Sequence, residues 1–310
     1  MAKAKKHNEK KMEAVVDFGN ITVPTKWEDV TLQMMSDYLK LSSDKEEQKK
    51  KDEAEAKKNG TEFNENDEKY SITDKDLLSI FTNFDMEKYD ILPVELYESI
   101  MSNFSFVIEP MPSSTPSNRI TYNGINFIIN DKETLKVKEY EDAELVLRTD
   151  RFDYPSLLAI LCREVTGIKT DHVTGKSYEV NEVYDSEFAN KKFDGRREMF
   201  ANMPITKVMP LITFFFLERD GIQQLFPNVY SDNRPPIRRT CGEYGRFSKK
   251  YGFTKIVYDT ANDDFTKIKE INQEYLIDFL SFVSYEVDHS YAQKAQMDWE
   301  DQQRMIHNRR

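Results

Sequence analysis

Cysteine is nearly missing from this chain: Cys162 and Cys241 are the two in 310 residues. Two thiols so far apart make neither a disulfide framework nor the ligand spacing of a zinc site. Cys162 sits inside the apolar run LLAILC and reads as a small buried hydrophobe. Cys241 lies beside Arg238 and Arg239 but has no histidine or aspartate partner for a nucleophile's work. Glycine and proline are also scarce, at 10 and 11, too few for the many turns of an all-β fold. Long apolar runs are absent. The most hydrophobic window, MPLITFFFL, is far too short to cross a bilayer. The N-terminus, MAKAKKHNEKK, lacks the apolar stretch of a secretory signal. Four histidines, His7, His172, His289 and His307, are scattered, with no HExxH and no Cys–His pair. Thr174-Gly175-Lys176 lacks the glycine spacing of a phosphate loop and reads as a turn. These gaps exclude every familiar catalytic, metal or cofactor pattern, so the expectation is a chain that is not an enzyme and has no cofactor.

What the chain has is charge. Its 55 acidic residues outnumber its 44 basic ones, for a formal net charge of -11. A general nucleic-acid coat recruits excess Lys and Arg to release counterions, so that class is disfavoured. A hydrophobic share of 39% still suffices for a core, and the length fits one or two domains.

Patterning predicts a mainly α (α+β) fold: a helical bundle with a small β-hairpin and a long C-terminal helix. Residues 1–14 read as a disordered basic arm. Residues 15–225 read as a helical core domain, opened by a short strand over 15–23. In it, Thr31 can cap a helix carrying Leu32, Met35, Tyr38 and Leu39. Residues 43–69 are almost all Lys, Glu, Asp, Asn and Gln; they fit a solvated helix extension or a flexible insertion, and NGTEFNEND at their end favours flexibility. From Ile72 to Val107 come two or three short helices: Thr73 caps the first, Asp85 a brief turn, and Pro93 opens the third, whose Leu96, Ile100, Phe104 and Val107 form one stripe. Asn123-Gly124 between alternating apolar residues predicts a hairpin over 119–129. Next, Asp153 caps a buried helix through LLAILC, in a segment read as helix, turn, helix as far as Ile168. Pro204 restarts a helix that Pro210 kinks or breaks. Residues 226–262 read as a Pro/Gly/Arg loop region ending in a strand-like run, and 263–310 as one long helix.

Two surfaces stand out as partner sites. The apolar stripe of the last helix fails beyond Tyr291, leaving Met297 and Trp299 among charged neighbours. A polar helix end that outruns its core pairs with a copy of itself or docks on a partner, and tryptophan is favoured at such anchors. The 234–250 region gathers Arg234, Arg238, Arg239, Arg246, Lys249 and Lys250 with Tyr244, Phe247 and Tyr251 between them. That mixture suits an acidic protein, or a nucleic-acid strand whose bases stack; the blander reading is a solvated loop that balances an acidic chain.

Four blocks, WEDVTLQMMSDYLKL (27–41), SITDKDLLSIFTNFDMEKYDILPVELYESIMSNFSF (71–106), FDYPSLLAILCREV (152–165) and RREMFANMPITKVMPLITFFF (196–216), together resemble a family of tailed-phage morphogenesis proteins. The second is similar to the helical core of tail assembly chaperones, and larger relatives from phages of Bacteroidetes hosts, crAss-like phages included, resemble all four. Phe84 stands where those chaperones carry glycine, and the chain is two to three times their length. The resemblance implies a phage assembly protein acting through other phage structural or assembly proteins; the polar helix end adds self-association as a further option, and the short apolar runs predict no membrane. A tail assembly chaperone-like role leads, a virion structural component (head–tail or tail protein) is the alternative, and a nucleic-acid-binding protein is the second alternative. It implies residence in the host cytoplasm during assembly, or in the virion, and carries over no active-site residue.

Overall fold

The computed structural model describes residues 19–170, 177–184, 192–230 and 241–308. The fold is mainly helical, with one small antiparallel sheet and a long C-terminal helix. The chain divides into two units, one of residues 1–26 and 41–110, the other of 27–40 and 111–310. This replaces the single core domain expected over 15–225. Helix α1 (Leu32–Asn59) contributes residues 32–40 to the second unit and 41–59 to the first.

The first unit closes on its own small core. Helix α2 (Asp74–Phe81) begins with a full capping box: the Thr73 hydroxyl accepts from the Asp76 amide, and the Asp76 carboxylate accepts from the Thr73 amide. Asp85 caps a 3-10 turn at Met86–Ile91. Pro93 lies one position earlier than expected, at the cap rather than the first turn of α3 (Val94–Ser102). That helix tightens into a 3-10 turn at Asn103–Ile108, which swings Phe104 and Phe106 inward. Both rings pack on Phe81, at 6.0 and 6.4 Å between centroids, beside buried Leu78, Phe84 and Ile100. The charged stretch favoured as flexible is helical as far as Asn59. Its helix is held by pairs four residues apart, Glu46–Lys50 and Glu53–Lys57 at 2.6 Å each, rather than by an apolar stripe. Tyr70 and Lys69 reach back to Asp52 at 2.7 and 2.9 Å.

In the second unit the predicted hairpin is present. Strands β1 (Arg119–Tyr122) and β2 (Ile125–Ile129) pair across Asn123 and Gly124, whose φ of 49° and 78° is what such a two-residue turn demands. Residues 15–23 do not complete the sheet: 19–23 form no strand, and 15–18 lie outside the described residues. Instead β3 (Cys162–Thr170) and β4 (Ser177–Asn181) extend it in the order β1-β2-β3-β4. The helix expected to run on through CREVTGI therefore ends at Leu161, and its successor is a strand whose Val and Ile suit a pleated surface. The turn expected around Thr174-Gly175 lies outside the described residues, as do the arm over 1–14 and His7 and His172.

Helices α4 (Val137–Thr149), α5 (Tyr154–Leu161), α6 (Phe193–Ala201) and α7 (Ile205–Leu225) pack around that sheet. Helix α5 is buried on all sides after its first residue. Pro204 caps α7, and Pro210 is carried inside it without ending it. At the centre, Arg163 and Glu139 form a wholly buried ion pair at 2.8 Å. Glu139 Oε2 also accepts from Asn130 Nδ2 at 3.1 Å, and the Arg163 guanidinium lies 4.4 Å from the Tyr184 ring. Burial among these groups pushes the Cys162 thiol up to about 12, which removes it as a nucleophile.

The 226–262 region departs furthest from expectation. It carries α8 (Pro227–Tyr230), α9 (Gly242–Tyr251) and α10 (Phe253–Ala261), with residues 231–240 outside the described set. The single helix expected over 263–310 is two: α11 (Phe265–Ile271), capped by Asp264, and α12 (Leu276–Asn308). Between them Leu276 N donates to Leu135 O at 2.9 Å, and Glu274 O accepts from Val137 N at 3.1 Å. Backbone bonds to a neighbouring segment take the place of helical ones, so the helix stops and restarts.

A candidate docking groove on the C-terminal helices

The base of α12 is anchored. Leu276, Phe279, Leu280 and Val283 are buried, and Asn228 Nδ2 donates to Ser284 O at 3.0 Å. Helix α10 packs alongside through Phe253, Val257 and Ala261, with Phe253 6.1 Å from Phe279 and 4.9 Å from Tyr140. Asn262 and Asp263, both left-handed at φ of 51° and 58°, end α10 and turn the chain toward α11.

This leaves an open trough around Phe282. On one side a cavity of about 560 Å³ runs between α8, α10 and α12, floored by Ile256, Val283 and Val287. On the other a cavity of about 430 Å³ runs between α10, α11 and α12, over Ile271 and Phe279. Thr260 and Phe282 line both, and Phe282 is 52% exposed. The rim is acidic. Asp259 and Glu286 line the first cavity, and Glu270, Glu274 and Asp278 the second, against Lys267 alone. Asp259 is held by Lys255, whose ammonium stays above its ordinary value because its carboxylate and Tyr244 partners outweigh the opposing effect of burial. Glu270, Glu274, Asp278 and Glu286 are exposed and make no ion pair among the described residues.

Sequence reasoning missed this groove, although a signal was present. Glu270, Glu274, Asp278, Phe282, Glu286 and Ser290 recur every fourth residue. On the single helix expected from sequence, like charges at that spacing would be unfavourable, whereas further along α12 the same spacing is filled by an opposite pair, Lys294–Asp298 at 2.5 Å. The row is gathered from α11 (Glu270), the break after it (Glu274) and α12 (Asp278 and Glu286), and its members line the groove.

The residues singled out from sequence fall in three places. Arg234, Arg238 and Arg239 lie outside the described residues. Arg246, Lys249 and Lys250 are exposed on α9, a helix that buries none of its residues. Along it Tyr244, Phe247 and Tyr251 form one exposed stripe, with centroids 6.2 and 4.7 Å apart. Residues 242–251 of that region thus form an amphipathic helix with its apolar face open to solvent. Gly252 sets its direction: its φ of 47° starts α10 at once, and a Cβ there would collide with the Arg148 guanidinium.

Tyr291, Met297 and Trp299 all lie on α12, but not on one face. Tyr291 is half-buried, and from Ala292 onward none of the helix's described side chains is buried. Residues 292–308 extend roughly 25 Å at 1.5 Å per residue. Met297 and Trp299, 57% and 56% exposed, stand about 200° apart around that helix. Trp299 shares its face with Ala292, Ala295 and Ile306, so one partner surface reaches Trp299 or Met297 but not both. No protein-family model, curated protein or solved structure matches the chain.

Proposed function

We propose that this protein works by protein–protein contact, as a morphogenesis protein of a tailed phage, with a tail assembly chaperone-like role ahead of a virion structural role. One observation carries the contact reading. The second unit leaves three apolar surfaces open together: the stripe of α9, the groove around Phe282 and the Trp299 face of α12. Surfaces of that kind on a folded protein mark sites of association. The phage assignment is supported by the four sequence blocks, the second of which forms α2, α3 and the 3-10 turns beside them in the first unit. Acting by contact, the protein performs no chemistry: it covers a partner's apolar surface until that partner is seated, or it stays as part of the final assembly.

Mass spectrometry of purified particles separates the two roles. A chaperone is absent from mature virions and present in infected lysate, whereas a structural component appears at fixed copy number. Substrate turnover by the purified protein would overturn the reading altogether.

A further inference from the structure

We infer that the acidic groove around Phe282 receives helix α9 of a second copy of this chain, joining protomers head to tail. The inference rests on the reading that the protein acts by contact, and goes beyond it by naming the partner. Three matches carry it. The first is charge: the rim presents Glu270, Glu274, Asp278 and Glu286, which have no ion-pair partner among the described residues, and α9 presents Arg246, Lys249 and Lys250. Of these three cations, Arg246 is shared with Glu243 on its own helix. The second is apolar chemistry: Phe282, Val283 and Ile271 floor the groove, and Tyr244, Phe247 and Tyr251 line the exposed face of α9. The third is length. The groove follows α12 from Asp278 to Ser290, roughly 18 Å, and α9, Gly242–Tyr251, is roughly 15 Å long at 1.5 Å per residue.

Groove and helix are different patches, so the contact is heterologous: each protomer offers one groove and one helix, and repetition closes a ring or extends a filament. Charge on both faces favours encounter and register, and the aromatic stripe supplies the area removed from water.

The full-length chain is tested by native mass spectrometry and light scattering at low salt. The expected result is a concentration-dependent series of multiples of 36.5 kDa. Raising salt from ~0.1 M to ~1 M, which shortens the Debye length from about 10 Å to about 3 Å, shifts the series toward single chains. One variant reverses the groove (Glu270→Lys, Glu274→Lys, Glu286→Lys), and another reverses the helix (Arg246→Glu, Lys249→Glu, Lys250→Glu). All six positions are exposed, and unchanged circular dichroism and melting temperature verify that both variants fold. Each alone should remain a single chain, and mixing them one to one should restore the series, because each reversed face then meets its complement. A milder pair, Phe247→Ser and Phe282→Ser, should lower the association constant at least tenfold without changing charge. A wild-type chain that stays single at every concentration, reversed variants that still assemble alone, or a mixture that fails to recover would each overturn the proposal. So would a single-stranded oligonucleotide shifted by the wild type and released by the helix reversal while the protein's mass stays at 36.5 kDa, since α9 would then be a nucleic-acid face. None of these outcomes bears on the particle experiment, so the two readings fail separately.

Discussion

Replacing Glu139 by Gln while keeping Arg163 removes one charge of a buried ion pair at the centre of the second unit. Both side chains are fully excluded from solvent at 2.8 Å. The guanidinium keeps the Ile160 and Cys162 carbonyls, the latter at 3.3 Å, and the Tyr184 ring at 4.4 Å. Breaking a buried pair by deleting one member costs about 3–5 kcal/mol. In a unit of this size each kcal/mol lowers the melting temperature by about 2–4 °C, so the expected fall is roughly 6–20 °C. Removing both charges with Glu139→Leu plus Arg163→Met should recover most of that loss, because neither member of the buried pair is then charged. Urea unfolding of the wild type, Glu139→Leu, Arg163→Met and the double variant closes the cycle. A single-variant cost below about 1 kcal/mol, the range of exposed pairs, would refute the reasoning, since it would mean that water reaches the pair.

Four further outcomes are expected. Truncation after Tyr291 should leave the melting temperature nearly unchanged while abolishing partner capture through Trp299; a large drop would place the helix end in the core. Gly124→Val forces a β-branched residue into left-handed backbone and should cost about 1–2 kcal/mol in urea unfolding, where Thr121→Ser on the neighbouring strand should cost little. Thr73→Ala removes half of the capping box of α2 and should cost about 1 kcal/mol, visible as faster hydrogen exchange over 74–81. Glu182 is held below its ordinary value of 4.5 because Lys192 and Arg196 outweigh the opposing effect of burial. Its contribution to stability is therefore full above about pH 4.5 and lost as pH falls through its folded value. Glu182→Gln should lower the melting temperature at pH 7 and flatten its dependence below pH 5, as differential scanning calorimetry can check.

Where a local physical rule decides the structure, the residues announced it. Asn123-Gly124 required its turn, Thr73 its cap, and Pro204 its helix start. Misreadings arose where the deciding partner is far away or of an unexpected kind. Residues 43–59 have no apolar period because lysine–glutamate pairs hold their helix. Cys162–Thr170 looked like more of α5, yet pairing with Ile129, Ile128 and Phe127 draws it into the sheet. Gly242 and Gly245 read as loop punctuation, although a helix tolerates both at a cost of about 1 kcal/mol each. The long C-terminal pattern hid a break at 272–275 that exists only because Leu135 and Val137 supply the backbone partners. Of the candidate site, the basic helix was half visible and the groove was not, since its walls come from four helices.

The sheet has a consequence for how such chains meet. A four-stranded meander leaves β1 and β4 at its margins, and bare strand margins are templates on which other chains add. Here β1 spans four residues and β4 five. Strand β3 changes partner midway, pairing with β2 over residues 162–164 and with β4 from 165 onward, with a register shift between Val165 and Gly167. The bend brings Arg119 on β1 to Glu179 on β4 at 2.5 Å, like a clasp joining the two rims. Margins so short and drawn toward each other offer little to a foreign strand, so crowding of many copies during expression should yield reversible clusters through helices rather than fibres through sheets.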